Sequence, residues 1–369
     1  MGDARENDIA FMLEALALAA RGAGTTAPNP MVGCLLVKDG KVVGSGWHEA
    51  PGKAHAEVNA IADAGERAQG ATAYVTLEPC NHTGRTGPCT EALIEAGVTE
   101  VVYALSDSNP VAAGGATRLL TAGVKVRGGV CADEARELNR PWVHSLKHKR
   151  PYVIGKTAMS LDGRISTSTG ESKWITGEIS RARAHQLRKF ANAIIVGAET
   201  VIADDPALTA RIGDEIHHPL RVVLDSAGRT PPGSKVYERL GKGALIAMTS
   251  RAPQARINAY RELGVDTVIC GADASGRPDL VDLLGALHER GVLSVLVEGG
   301  GEVLGAFFDA DLLEEIHLFV APKLIGGGKP AFGGHGVDRL YFSERYSFAE
   351  PQKLGSDILW RGVRRLEAR

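Results

Sequence analysis

Apolar residues recur at helical spacing from Asp8 to Arg21, and this segment is expected to be a helix. Two apolar runs follow, MVGCLLV and KVVGSGWH, and Asp39-Gly40 between them is a strong hairpin signal. From there the pattern alternates between helix and strand. HAEVNAIADAG, CTEALIEAG and GATRLLTAG have the helical period, whereas ATAYVTLEP, VTEVVYAL and VKVRGGV read as strands. A further helix is expected from about Ala132 to Lys147, kinked at Pro141.

A fresh apolar strand, PYVIGKTAM, starts after the polar, basic segment HSLKHKRP, which is the best boundary candidate in the chain. Beyond it, ANAIIVG, LRVVLD, GALIAMTS, DTVIC, SVLVEGG and EEIHLFVAPKLIGG read as strands, with helices near residues 178–190, 278–290 and 301–310. Alternation of this kind in both halves predicts α/β layers, with domains at 1–148 and 149–369. A chain of 369 residues is also too long for one core at the usual domain size.

Composition narrows the class. Hydrophobic residues at 44 % and charged residues at 23 % are globular values, which sets disorder and fibrous repeats aside. The 45 glycines and 5 % aromatics favour tight turns and close backbone approaches. A net charge of −2 gives no electrostatic reason to expect nucleic acid or a membrane surface as partner. The first part carries 13 Lys+Arg against 17 Asp+Glu and the second 29 against 27, a small asymmetry that weakly favours an anionic ligand in the second. No apolar run approaches the roughly 20 residues of a membrane span. The acidic start MGDAREND lacks the basic and apolar regions of a signal peptide, so a cytoplasmic, reducing location is expected. Five cysteines fit no disulfide framework there, which leaves metal ligation or reactivity for any cysteine with a role.

One constellation carries metal chemistry. His55-Ala56-Glu57 opens a helix, and Pro79-Cys80 and Pro88-Cys89 follow the next strand. Zinc on His55, Cys80 and Cys89 would keep one tetrahedral place open for water, as catalytic sites do. Water in that place ionises near neutral pH. Glu57 would then move the proton to the ring nitrogen and the departing ammonia, as in zinc nucleobase deaminases with their H-x-E and P-C-x-x-C signature. Here eight residues separate the two cysteines, so the commonest cytidine-deaminase form is excluded. The alternative is a structural zinc closed by His82. Cys34, Cys131 and Cys270 have no ligand-like partners and are read as packing residues.

Glycine motifs are less decisive. GAGTTA from Gly22 follows a helix rather than a strand, Gly155-Lys156-Thr157 lacks the upstream glycine of a P-loop, and there is no G-x-S-x-G elbow. SVLVEGGGEVLGAFF differs, because a strand runs through Gly299-Gly300-Gly301 into a helix whose first N–H groups could hold a pyrophosphate. A tight strand-to-helix turn would explain the same glycines.

TAPNPMVGC, HAEVNAI, TLEPCNHTGRTGPC, KTAMSLDGR, GESKWIT and VIADDPALTAR, in this order, resemble the bifunctional pyrimidine deaminase/reductases of riboflavin biosynthesis over nearly the whole chain. The resemblance implies a cytidine-deaminase-like first domain and a dihydrofolate-reductase-like second domain. It further implies zinc on His55, Cys80 and Cys89, catalysis by Glu57, and Asn29 on the pyrimidine. NADPH is implied at Ala158, Trp174, Thr200, Asp204, Ser226 and the loop Gly300, Gly301, Glu302, Val303 and Leu304. The phosphorylated pyrimidine is implied at Lys156, Ser172, Arg188, Leu208, Arg211 and Glu298, with Lys156 and Glu298 nearest the carbon that accepts hydride. Both arginines suit a phosphate, since a guanidinium donates two parallel hydrogen bonds. A homodimer is expected on the same basis. The loop NPVAAGGA from Asn109 is one residue shorter than the family pattern, which bears on its contacts to the ribose phosphate. Two other readings compete: a nucleoside or tRNA deaminase whose second domain only binds nucleotide, and an interaction protein with a structural zinc.

Overall fold

The computed structural model describes residues 2–82, 87–107 and 114–365. The chain divides into two compact units, Met1–Lys149 and Arg150–Arg369.

In the first unit, helix α1 (Gly2–Ala19) precedes the hairpin β1 (Gly33–Lys38) and β2 (Lys41–Trp47). Asp39 and Gly40 have φ of 52° and 72°, the turn that the Asp-Gly pair predicts. The unit continues through α2 (Ala56–Ala64), β3 (Thr72–Leu77), α3 (Cys89–Glu95), β4 (Glu100–Leu105), α4 (Gly115–Thr121) and β5 (Lys125–Gly128). Its sheet has the order β2-β1-β3-β4-β5, antiparallel around β1 and parallel from β3 onward. An alanine-rich core of Ala56, Ala60, Ala64, Ala71 and Ala73 with Leu36, Val75 and Leu93 lets α2 sit very close to the sheet. Gly46 makes that approach possible: a Cβ there would lie 2.5 Å from the Ala60 nitrogen and 2.6 Å from the Ala56 oxygen.

The expected single helix over 132–147 is two helices, α5 (Ala132–Leu138) and α6 (Arg140–His148), separated at Asn139. Pro141 falls in the first turn of α6, where its missing N–H costs nothing, so the proline starts a helix instead of kinking one. The break frees Asn139 for another job. Its buried side chain accepts from the Met31 N–H at 2.8 Å and donates to the Met31 carbonyl at 2.9 Å, clamping the segment that carries Asn29.

The second unit is built on β6 (Tyr152–Ser160), β7 (Ala193–Gly197), β8 (Ala210–Ile212), β9 (Glu215–His217), β10 (Leu220–Leu224), β11 (Ala244–Met248), β12 (Asp266–Ile269), β13 (Ser294–Val297), β14 (Glu315–Ala321), β15 (Tyr346–Phe348), β16 (Gln352–Leu354) and β17 (Asp357–Arg364). Its helices are α7 (Glu178–Phe190), α8 (Ala198–Asp204), α9 (Gln254–Glu262), α10 (Leu280–Glu289) and α11 (Gly301–Asp309). The main sheet runs β12-β11-β10-β7-β13-β6-β14-β17-β15, with β16 on β17 and β8-β9 as a separate hairpin. From β12 to β14 neighbours are parallel, and β7, β11 and β13 are buried along their whole length, as parallel strands covered on both faces must be. One core holds α10 and α11 against the sheet through Leu283, Leu287, Leu304 and Phe307; the other holds α7 and α9 through Leu187, Ile257 and Tyr260.

Four features of this unit have no counterpart in the apolar pattern: α8, α9, the β8-β9 hairpin and the antiparallel strands β15–β17. The 314–327 run is a strand only as far as Ala321, and Pro322 follows it directly.

Candidate active sites

The first site is assembled at one end of the β3 sheet. His55 is the N-cap of α2, Cys80 lies three residues beyond β3, and Cys89 is the first residue of α3. His55 Nδ1 stands 3.1 Å from the Cys89 sulfur and 3.5 Å from the Cys80 sulfur, and the three donor atoms lie within 4.8 Å of one another. A hydrogen bond from Cys89 holds the Cys80 thiol down at about 4 against the opposing effect of burial, with His55 adding to it. The Cys89 thiol is pushed up, first by that same bond and then by burial. One proton shared between two thiols beside an imidazole is a donor set suited to a divalent, borderline-soft ion, and three donors leave an open place. His82 is not part of this cluster among the described residues, which removes support for a closed four-ligand site.

Glu57 is 3 % exposed in the first turn of α2. Burial, and then the negative charge at Cys80, raise its carboxyl to about 7, where it can both take and give a proton at neutral pH. Asn29 reaches the same region through His48: its Nδ2 lies 3.0 Å from His48 Nε2, and the His48 ring meets the His55 ring edge-on at 5.5 Å. His48 Nδ1 lies 3.1 Å from the Ala54 carbonyl and is the donor there, so Nε2 accepts from Asn29. Sequence reasoning missed His48, which is 3 % exposed and has no motif around it.

Cys34 and Cys270 are buried in the apolar cores. Cys131 is half-buried, with φ of 56° at the N-cap of α5. The loop opened by Asn109 lies outside the described residues.

The second site is a cavity of about 560 Å³ in the second unit. Lys156, Ala158, Trp174, Arg188, Thr200, Asp204, Leu208, Arg211 and Glu298 all line it. Ser172, Ser226 and the Gly300–Leu304 turn do not. Leu304 is 1 % exposed and packs against Gly155, so only its backbone could face a ligand. Val303 fills the space beside Gly197 and Gly299, and Glu302 pairs with Arg277 on the surface. A Cβ on Gly301 would collide with the Pro330 carbonyl, so close packing explains that glycine. Gly300 differs: its nearest neighbour is Thr200 Oγ1 at 4.0 Å, which leaves room at the N-terminus of α11 beside a cavity-lining residue.

Charge in the cavity is organised by one ion pair. Arg188 donates from Nη2 to Glu298 Oε2 at 2.6 Å, from Nε to both carboxylate oxygens at 3.0 and 3.2 Å, and from Nη1 to the Thr209 carbonyl at 3.0 Å. Burial would raise Glu298, but Arg188 and Lys156 outweigh it and hold the carboxyl at about 2. Lys156 is lowered by burial and by Arg188, with Glu298 opposing. Two residues expected to face substrate independently are therefore bound to each other. Arg181, stacked 4.6 Å over Trp174, and His185 also line the cavity. His185 precedes Arg188 by one helical turn, which was the available sequence signal.

A zinc-binding deaminase unit followed by a parallel α/β unit with a cationic cavity defines a two-site enzyme class. Residues 5–105 match the cytidine and deoxycytidylate deaminase zinc-binding region, and residues 151–360 match the RibD C-terminal domain. The chain is 42 % identical to riboflavin biosynthesis protein RibD of Actinobacillus pleuropneumoniae, over 95 % of this chain and 94 % of that one. It is 39 % identical to RibD of Escherichia coli (strain K12), over 94 % and 97 %. Among solved structures, Acinetobacter baumannii RibD superposes with a TM-score of 0.88 at 38 % identity, covering 98 % of this chain and all of that one. A Thermotoga maritima diaminohydroxyphosphoribosylaminopyrimidine deaminase/5-amino-6-(5-phosphoribosylamino)uracil reductase gives 0.86 at 32 % identity, covering 98 % and 99 %. The chain belongs to the RibD family of riboflavin biosynthesis proteins.

Proposed function

We propose that this chain carries out two successive steps of riboflavin biosynthesis: hydrolytic deamination of 2,5-diamino-6-(5-phosphoribosylamino)pyrimidin-4-one, then reduction of the ribosyl group to ribityl. The observation that carries this reading is the pairing of a three-donor metal cluster beside buried Glu57 with a separate cationic cavity around Lys156.

His55, Cys80 and Cys89 would hold zinc, whose role is to activate water for attack at C2. Asn29, oriented by His48, places the pyrimidine. Glu57 takes one proton of the attacking water and delivers it to ring nitrogen N3, then takes the second from the hydroxyl left on C2 and gives it to the 2-amino group, which leaves as ammonia while the C2 carbonyl forms. Burial suits Glu57 to this because its carboxyl changes state near neutrality.

In the second unit Ala158, Trp174, Thr200, Asp204, Ser226 and the Gly300–Leu304 turn would hold NADPH, which would supply a hydride for C1′. Lys156 donates a proton to the ring oxygen O4′ as the sugar opens, and its lowered affinity for protons favours that transfer. Glu298, itself held by Arg188, favours the ammonium form of Lys156. Ser172, Leu208 and Arg211 complete the proposed substrate contacts.

The deciding experiment is Glu57→Gln, followed by separate assays of ammonia and NADPH. Ammonia release should vanish, while zinc content and NADPH oxidation on the deaminated intermediate persist; loss of both activities counts against separate sites. That NADPH assay also excludes a nucleoside or tRNA deaminase with a merely nucleotide-binding second domain.

We also propose a homodimer in the cytoplasm without nucleic-acid or membrane partners. Exposed Phe348, Ile358 and Trp360 on β15 and β17 support an interface, and the charge of −2 supports the absence of nucleic acid. Among the described residues, no helix is long and apolar enough to cross a membrane. Light scattering that gave a monomer mass would remove the dimer.

A further inference from the structure

The two cysteines of the metal cluster lie on separate pieces of chain. In a C-x-x-C motif a single turn of backbone joins both thiols, but here residues 81–88 stand between Cys80 and Cys89, and a connection of that length sets no separation by itself. Two thiolates also repel each other until a cation sits between them. Other contacts must therefore hold the sulfurs at the spacing an ion needs.

Cys80 is fixed from the sheet side. Glu78, two residues earlier, donates its backbone N–H to the Leu105 carbonyl at 2.8 Å, and its carboxylate accepts from the Ala116 N–H at 3.0 Å. Gly115, with no room for a Cβ, sits directly on the Pro79 carbonyl. Cys89 is fixed differently, as the buried first residue of α3.

Thr90 joins the two pieces. Its backbone N–H belongs to the first turn of α3, where no carbonyl of the helix can receive it, and it donates to the Cys80 carbonyl at 3.3 Å. Its hydroxyl donates to Asn81 Oδ1 at 3.0 Å. The residue after one ligand thus binds the residue after the other, and Thr90 is fully buried where it does so.

We propose that Thr90 is a positioning residue of the metal site: with Asn81 as its partner, it sets the separation of Cys80 and Cys89 and takes the place of the missing short tether. This rests on the reading of the cluster as a zinc site.

The test measures zinc affinity of the full-length protein by competition with a chromogenic chelator, for wild type, Thr90→Val, Thr90→Ser, Asn81→Ala and the double variant Thr90→Val with Asn81→Ala. Valine keeps the shape of threonine without the hydroxyl, whereas serine keeps the hydroxyl. Thr90→Val should weaken zinc binding about tenfold, the lower end of the range for residues that hold metal ligands in place, and Asn81→Ala should do the same. The double variant should bind no more weakly than either single one, because both changes remove one bond. Thr90→Ser should bind as wild type does. Excess zinc should restore ammonia release in Thr90→Val, a rescue that a misplaced substrate or proton donor would not allow. Unchanged affinity in Thr90→Val, equal losses with valine and serine, additive losses in the double variant, or no rescue by zinc would each overturn the proposal. Should Thr90→Val fail to fold by circular dichroism, Asn81→Ala, at an exposed position, decides the matter alone. If wild type itself binds no zinc, the reading of the cluster falls and the proposal with it.

Discussion

Arg188 and Glu298, 110 positions apart in the chain, form the tightest charge pair of the reductase cavity, with the carboxylate side chain only 6 % exposed and the guanidinium 19 %. Both act on Lys156 through charge, Glu298 favouring its ammonium and Arg188 opposing it.

Removing one member leaves a buried charge without its counterpart, which typically costs about 3–5 kcal/mol. Glu298→Gln is therefore expected to lower the melting temperature and reduce NADPH oxidation at least tenfold, while ammonia release at temperatures below the transition is unchanged. Calorimetry and the two assays check this. The pH dependence has a definite sign. Glu298 is depressed in the folded state to about 2, so its stabilising contribution is complete above the ordinary glutamate range near 4.3 and disappears as pH falls toward about 2. No acid limb from Glu298 should appear in the reductase rate between pH 5 and 7.

Lys156 shifts in the opposite functional sense. Because burial and Arg188 lower its pKa, the alkaline limb of NADPH oxidation should fall below the ordinary lysine value of about 10.4. Lys156→Met should abolish reduction yet leave the protein folded, since Glu298 keeps Arg188 as its partner. A limb that survives in the methionine variant would assign the titration elsewhere.

Metal removal separates the two chemistries. The three donors belong to a unit that also has its own core of Ala56, Ala60, Val75 and Leu93, so that core does not depend on the ion for its packing. Chelation should stop ammonia release, preserve the circular dichroism of the protein, and leave NADPH oxidation on the deaminated intermediate intact. Unfolding on chelation would instead point to a structural ion.

Much of this architecture is readable in the sequence because local patterns agree with it. The Asp39-Gly40 turn, the strands buried on both faces and the His55-Ala56-Glu57 helix start are each determined within a few residues. What was not readable depends on partners far away. Asn139 looks like a polar residue within a helix until Met31 is placed beside it, and Arg188 looks like a phosphate ligand until Glu298 takes its fork. Strands β15–β17 escaped because half of their residues face solvent and their pairing is with one another and with β14. The glycines show the same limit: Gly46 and Gly301 serve close packing of helix on sheet and of helix on loop, and neither function is visible in the composition.

Gly46 gives the sharpest test of how packing governs chemistry. A methyl group at this position meets the backbone of α2 at Ala56 and Ala60, and neither atom belongs to a flexible side chain that could move aside. Gly46→Ala must push α2 away from β2, and α2 carries Glu57 while its N-cap is His55. Overpacking of this kind costs about 1–3 kcal/mol, which a unit of this size can survive. The expected result is a folded protein with zinc affinity and ammonia release reduced together and NADPH oxidation unaffected. Gly87, with nothing within 4 Å of its Cβ position, is the control, and Gly87→Ala should retain zinc and fold normally. If Gly46→Ala kept full deaminase activity, the close contact of α2 with the sheet would not be what sets the metal site.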